Sequence, residues 1–197
     1  MDAARRAGAL ILEFYESDYD VRDKNLSGPD GASGAKSLRD ADYDPVTSAD
    51  RAADDSLRHD LRQAFPEYGW LSEETVDDAI RLQQETVWIV DPIDGTKEFL
   101  TGIPEFVVSI ALVTDGVPVL GVIYNPSRDE LYGAVRGGGT FLNGKRVFCT
   151  ATAALGQAVL IVSRSEAARG EIDPLRTHLR EIRPLGSVAY KLSVVAA

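Results

Sequence analysis

The chain has 197 residues, with 31 Asp plus Glu against 21 Lys plus Arg, giving a formal net charge of −10. Hydrophobic residues make up 44% of it, enough for a sizeable interior; this excludes a disordered or collagen-like chain and sets the expectation at one domain or two small lobes. No cationic run exceeds Arg5-Arg6, so the electrostatic footprint of a nucleic-acid-polymer partner is absent, and a small anionic ligand calls for a hard cation between itself and the carboxylates.

Taken in chain order, Ala4, Ala7, Leu10, Ile11, Phe14 and Tyr15 recur at spacings of three and four and predict an amphipathic helix over residues 1–19. Three glycines and a proline among polar residues predict a loop over 25–42. Thr47 or Ser48 caps a second helix running to about Phe65, with Ala52, Ala53, Ser56 and Leu57 inward and Pro66 marking its end. Strands are predicted at Thr86–Val90, Phe106–Val113, Val119–Tyr124 and Glu130–Val135, antiparallel because turn chemistry links them at Asp115-Gly116 and Asn125-Pro126. Asn143-Gly144 between apolar flanks is a hairpin signal. After it the rhythm changes: strand Val159–Val162, helix from about Pro174 to Arg180, strand Ile182–Leu185 and a helix from Ser187 suggest alternating β and α. The expected fold class is therefore α+β moving into α/β, with an N-terminal lobe over 1–154 and a C-terminal α/β lobe over 155–197. The last helix reaches Ala197 without a Gly or Asn cap or a basic last turn, which leaves a natural terminus that frays or a fold cut short; the C-terminal half is expected to be truncated.

The apolar runs fall short of the roughly 20 residues that span a bilayer, and Met1–Leu12 carries Asp2, Arg5 and Arg6 where an export signal has an apolar core. A soluble, cytoplasmic chain without a membrane partner is expected. The single Cys149 excludes an intramolecular disulfide and a multi-cysteine metal site, and is expected to be a half-buried small side chain. His59 and His178 lie outside every motif and are expected on helix surfaces.

Chemistry concentrates in Trp88-Ile-Val-Asp91-Pro-Ile-Asp94-Gly95-Thr96. Two acids follow an apolar strand where the chain direction is expected to change, Pro92 keeps Asp91 out of the α region, and Gly95 permits a tight turn. Asp91, Asp94 and the Ile93 carbonyl can then face one point, an oxygen set suited to Mg²⁺. Carboxylates held that close repel unless a cation lies between them. A short helix opening at Thr96 would turn its first N–H groups to the same point, where a phosphate binds. Glu73 and Glu74 in Leu-Ser-Glu-Glu can supply a further ligand, or form a solvated surface. Asp50, in Asp44-Pro-Val-Thr-Ser-Ala-Asp50, can be a helix cap and nothing more.

These blocks, with Gly186-Ser-Val-Ala-Tyr-Lys191-Leu, stand in the order and rough spacing of the inositol monophosphatase superfamily, which the chain resembles from its first helix to Ala197. The resemblance implies a layered αβαβα sandwich and Mg²⁺-dependent hydrolysis of a small phosphomonoester, with two or three ions in a complete family site. It implies Glu73, Asp91, the Ile93 carbonyl and Asp94 as metal ligands, Asp50 and Thr96 as the pair activating the attacking water, and the Gly95 and Thr96 amides at the phosphate. No phosphoenzyme would form.

Lys97-Glu98-Phe99 resembles the 3′(2′),5′-bisphosphate nucleotidase branch, and Gly186, Ser187 and Lys191 resemble its substrate-side positions. The branch therefore implies 3′-phosphoadenosine 5′-phosphate first, with an inositol or sugar monophosphate as the alternative. Glu166 stands where that branch has His, and its charge would repel a second phosphate. Family members continue into a Trp-Asp motif carrying a further metal ligand, so a chain that binds metal or phosphate without turnover is the reading from another class. The resemblance also implies a homodimer.

Overall fold

The structure, a computed structural model, describes residues 1–15, 20–23 and 45–197. The expected loop over 25–42, and residues 16–19 of the helix expected over 1–19, lie outside the described residues. Helix α1 (Asp2–Tyr15) buries Ala3, Ala4, Ala7, Gly8 and Ile11, a face of small residues that lets a neighbouring helix and sheet come close. Strands β1 (Val21–Asp23) and β2 (Pro45–Thr47) pair antiparallel and lead into α2 (Ser48–Ala64). Thr47 is the N-cap: its side chain accepts from the Ala49 and Asp50 amides while Asp50 accepts from the Thr47 N–H, a reciprocal capping box. The buried face of α2 is Ala49, Asp50, Ala53, Asp54 and Leu57 rather than the expected Ala52, Ala53, Ser56 and Leu57. The rotation is possible because both buried acids find hydrogen-bond partners, which apolar periodicity does not register.

The large sheet runs β3 (Gly69–Ser72), β4 (Thr86–Asp94), β5 (Val107–Thr114), β6 (Val117–Asn125), β7 (Glu130–Val135), β8 (Gly139–Leu142) and β9 (Lys145–Val147), hydrogen-bonded in sequence order. A 3₁₀ turn over Ala79–Gln83 lies between β3 and β4, and the short helix α3 (Thr96–Leu100) between β4 and β5. From β4 onward every neighbouring pair is antiparallel, as the turn chemistry predicts, and Asn143-Gly144 makes the β8–β9 hairpin. Strand β3, which the sequence analysis did not predict, pairs parallel with β4, made possible by the thirteen-residue crossover Glu73–Glu85 rather than a tight turn.

Side chains alternate along each strand, so the sheet has two different faces. Val108, Ile110, Val122, Tyr124 and Leu131 join α1 and α2 in one core. Their sequence neighbours Val107, Ile123 and Tyr132 point the other way, into a second core with Leu185 and Tyr190. That second core belongs to the C-terminal segment, built from β10 (Val159–Val162), α4 (Arg164–Ala168), a 3₁₀ turn over Asp173–His178, β11 (Glu181–Pro184) and α5 (Val188–Val195). Strands β10 and β11 are parallel, and α5 touches both the large sheet and β10. The described residues thus stack as helix, sheet, helix, sheet, in keeping with the layered sandwich expected. The predicted helix over Pro174–Arg180 is only the 3₁₀ turn, with Pro174 at its start, and α4 arises unpredicted from a Ser163/Glu166 capping box. Cys149 is exposed rather than half-buried.

Gly8 lets α1 come close to the sheet: a Cβ there would lie 2.5 Å from Tyr124 Cε1. Tyr124 is held in place by the Asp129 carboxylate and by Arg5 above its ring. Gly8→Ala is therefore expected to cost about 1 to 3 kcal/mol of stability, from overpacking that outweighs alanine's better helix propensity. Denaturant unfolding with an unchanged slope would check it.

Candidate active site

The site begins with a defect in β4. Asp91 pairs with Ser109 and Asp94 with Val107, so three residue steps on β4 match two on β5. The extra residue makes a β-bulge, and Pro92 is tolerated there because a bulge asks for no ladder N–H at that point. The chain therefore does not turn after Val90, as expected from sequence; the strand continues through Asp94 and the bulge redirects its side chains. Asp91 Oδ1 accepts the Ile93 N–H at 3.1 Å, which fixes the Asp91 carboxylate against the turn. Gly95, at φ 102°, then leads into α3, and a Cβ there would press on the Glu105 carbonyl at 3.0 Å. Glu73, Asp91, Ile93 and Asp94 line one cavity of about 210 Å³, together with Gly95, Thr96, Lys97 and Glu98.

The other predicted pair also meets. Thr96 Oγ1 lies 3.2 Å from Asp50 Oδ1 and 3.1 Å from the Ile93 carbonyl oxygen, two acceptors for its single proton. Asp50 is 1% exposed, and its Oδ2 accepts the Thr47 N–H at 2.7 Å. The capping role foreseen for Asp50 and its contact with Thr96 thus use different oxygens of one carboxylate. One turn on, the buried Asp54 accepts from the Ser72 hydroxyl, whose oxygen in turn accepts the Glu74 N–H at 3.3 Å. This link, which no sequence motif signalled, ties the Glu73 segment to α2. Burial pushes the Asp54 carboxyl above the usual range, against the pull of the Ser72 hydrogen bond.

Of the positions expected on the substrate side, none of Gly186, Ser187 and Lys191 lines the cavity, but Gly186 lies against Glu98 and Ser187 bonds Asp94, two residues that do. Ser187 Oγ donates to Asp94 Oδ2 at 2.7 Å, and the Ala189 N–H donates to the same oxygen at 2.5 Å. Asp94 therefore sits at the N-terminus of α5 as an acceptor, where the helix dipole favours negative charge. Gly186 donates its N–H to Glu105 Oε2 at 2.7 Å and lies against Glu98. Burial raises the Glu98 carboxyl, partly offset by Arg164. Glu166, expected to confront a second phosphate, accepts the Ser163 N–H at 2.7 Å as the capping box of α4 and lies within electrostatic reach of Lys191, which helps hold its carboxyl below the ordinary range. Both histidines are exposed: His59 stands on α2, and His178 ends a 3₁₀ turn rather than lying on a helix.

The donor set suits a hard divalent cation: carboxylate and carbonyl oxygens around one small cavity whose lining, among the described residues, holds four acidic side chains and a single cation, Lys97. Among the described residues no three His, Cys, Asp or Glu side chains already converge as a closed ligand cluster. Asp94 Oδ2 is already engaged by the start of α5. No helix among the described residues is long and apolar enough to cross a membrane.

The chain matches the inositol monophosphatase family model over residues 1–197. It is 43% identical over 205 residues to an inositol-1-monophosphatase of Mesorhizobium japonicum, covering 100% of this chain and 71% of that protein. It is 43% identical over 169 residues to the Rhizobium meliloti inositol-1-monophosphatase, covering 80% of this chain and 60% of the relative. Among solved structures, the extragenic suppressor protein suhB from Bartonella henselae superposes with a TM-score of 0.81 at 34% identity, covering 98% of this chain and 71% of that one. SaIMPase-II, 25% identical, superposes in complexes with inositol monophosphate (TM-score 0.70; 98% of this chain, 65% of that) and with 2′-AMP (TM-score 0.72; 99% and 68%). The chain thus spans between 60% and 71% of these relatives' lengths.

Two stability measurements follow from the site's hydrogen bonds. Ser187 has φ 58°, a backbone angle that costs a non-glycine residue energy, while its hydroxyl caps α5 by accepting the Tyr190 N–H at 3.0 Å. Ser187→Ala is expected to lower stability by about 1 kcal/mol, whereas Ser187→Gly, which loses the cap but relieves the angle, stays near neutral; comparative thermal melts read the difference. For Asp54 the folded-state pKa is raised, so its contribution is fully present below the unfolded carboxylate pKa and is lost as pH rises through the folded value. Asp54→Asn is expected to gain on the parent chain as pH rises through and above the ordinary carboxylate range, measured by denaturant unfolding at several pH values. A difference between the two that does not vary with pH would remove the assignment.

Proposed function

The chain belongs to the inositol monophosphatase family, whose members are metal-dependent phosphoric monoester hydrolases, and from that premise we propose that it hydrolyses a small phosphomonoester with Mg²⁺ as its metal. The observation that carries this reading is the single cavity that gathers Glu73, Asp91, Ile93, Asp94 and Thr96. Glu73, Asp91, the Ile93 carbonyl and Asp94 would hold the metal, which when bound offsets phosphate charge and lowers the pKa of water. The amides of Gly95 and Thr96 take the phosphate oxygens. Thr96 Oγ1 accepts one proton of the attacking water and passes its own to Asp50, whose buried carboxylate is already oriented by the Thr47 amide. The water oxygen bonds to phosphorus, the bond from phosphorus to the ester oxygen breaks, the leaving oxygen takes a proton from solvent water, and the proton held at Asp50 returns to solvent. No covalent intermediate is part of the reading.

For substrate, an inositol-type monophosphate is the first reading. The relatives' names support it, and so does the balance of charge beside the cavity. Arg164, at the start of α4, is engaged by Glu105 at 2.5 Å and faces Glu98 at 3.8 Å, so its one positive charge is already shared between two carboxylates. The bisphosphate-nucleotide reading retains two supports, Lys97-Glu98-Phe99 and the 2′-AMP complex of SaIMPase-II. The proposed setting is the cytoplasm, in keeping with a lone thiol at Cys149, and the proposed assembly is the homodimer implied by the family resemblance.

Phosphate release from inositol 1-phosphate and from 3′-phosphoadenosine 5′-phosphate, with Mg²⁺ and with chelator, tests the proposal. Release that requires Mg²⁺, favours the inositol ester and falls at least about a hundredfold in Asp91→Asn and in Thr96→Val is expected, since both remove groups that act in the transition state. Asp91→Asn is a cleaner metal control than Asp94→Asn, which also disturbs α5. Faster release from the bisphosphate would reverse the substrate order. No release, with Mg²⁺ still bound, would leave a binding protein.

A further inference from the structure

We propose that Glu105 is a positioning residue: with Arg164, its carboxylate holds the Gly186–Ser187 turn against the Asp94–Glu98 wall of the cavity. The role in turnover rests on the phosphatase reading; the clamp itself does not. Glu105 is 7% exposed and lies outside every motif, in the segment between α3 and β5. Its Oε2 accepts the Gly186 N–H at 2.7 Å and a bond from Arg164 Nη2 at 2.5 Å, while its Oε1 faces Arg128 Nη2 at 3.6 Å.

The anchor is itself fixed. The neighbouring Pro104 carbonyl accepts from Asn125 Nδ2 at 3.1 Å and from Arg128 Nε at 3.2 Å, which binds this segment to the β6–β7 turn. The turn it holds has no slack against Glu98, whose Cγ would clash with a Cβ at Gly186. With Gly186 seated, Ser187 Oγ and the Ala189 N–H meet Asp94 Oδ2. A buried carboxylate is costly unless paired and hydrogen-bonded. Here the pairing joins three places far apart in sequence, residues 105, 164 and 186. Their common product is the position of one backbone turn beside Asp94. Glu105 touches no reacting atom; it acts through Gly186 and Ser187.

The test compares Glu105→Ala, Glu105→Asp and Glu105→Gln in the full chain, by amide hydrogen exchange and by steady-state phosphate release from inositol 1-phosphate. Ala removes the acceptor, Asp is one methylene too short to reach Gly186, and Gln keeps a carbonyl acceptor in place. Exchange over residues 185–190 is expected to speed up about tenfold in Ala and Asp, with β4 and β5 unchanged, and to be largely restored in Gln. KM is expected to rise about tenfold in Ala and Asp, with kcat within about twofold and Gln close to the parent. If Ala fails to fold, the Asp and Gln pair carries the comparison. Unchanged exchange over 185–190, loosening that extends equally into β4 and β5, or Gln behaving like Ala would each overturn the proposal. The expected exchange pattern in a parent chain that releases no phosphate would overturn the phosphatase reading while leaving the clamp.

Discussion

Two carboxylates that repel each other, Asp91 and Asp94, are placed on one stretch of strand by a single extra residue in β4. The rest of the structure can be understood as the means of holding that arrangement. The bulge needs a residue without a ladder N–H, which Pro92 supplies, and an exit in a positive-φ conformation, which Gly95 supplies. Neighbouring strands with alternating apolar faces keep β4 from relaxing, because a one-residue slip would turn every buried side chain toward water. The repulsion is managed locally by hydrogen bonds: Ile93 N–H to Asp91, and Ser187 Oγ–H with Ala189 N–H to Asp94.

Asp94 gives the C-terminal segment its connection to the Asp91–Thr96 motif. The same carboxylate that offers an oxygen to the cavity accepts from the start of α5, so helix and site share one residue. Elsewhere the two parts meet through polar contacts at the rim and apolar packing beneath. Tyr190, 1% exposed, packs against Tyr132 and donates to Glu130 at 2.7 Å, while Val107 and Leu185 fill the same core. Desolvation and the neighbouring Glu130 raise both phenols, Tyr132 to about 12, so they remain hydrogen-bond donors across the physiological range. Geometry at the substrate side is thus set by contacts between segments some sixty to ninety residues apart.

Acidity concentrated at the cavity also explains the distribution of nearby cations. Glu98 and Glu105 stand beside Arg164 and Arg128, a balanced group in a chain whose net charge is −10. Balanced pairs contribute order and little long-range attraction. Among the described residues Lys97 is the one cationic side chain in the cavity lining, so under the proposed function attraction for a phosphate would rest on a bound cation.

The sequence by itself determined the antiparallel run from β4 to β9, the first two helices and the composition of the site, because these depend on local periodicity, turn chemistry and a dense motif around Asp91 and Asp94. It also carried the family resemblance that singled out Asp50, Glu73 and Thr96. Only the tertiary structure decided that β3 lies parallel to β4, that α2 turns two acids inward, that Glu166 caps its own helix, and that Glu105 faces Gly186. Each of these depends on a partner that propensity cannot supply: a distant hydroxyl for Asp54, a crossover for β3, a backbone amide 81 residues away for Glu105. Local patterns record which face of an element is apolar. They do not record which buried polar group will find its complement, and around this cavity that pairing sets the geometry.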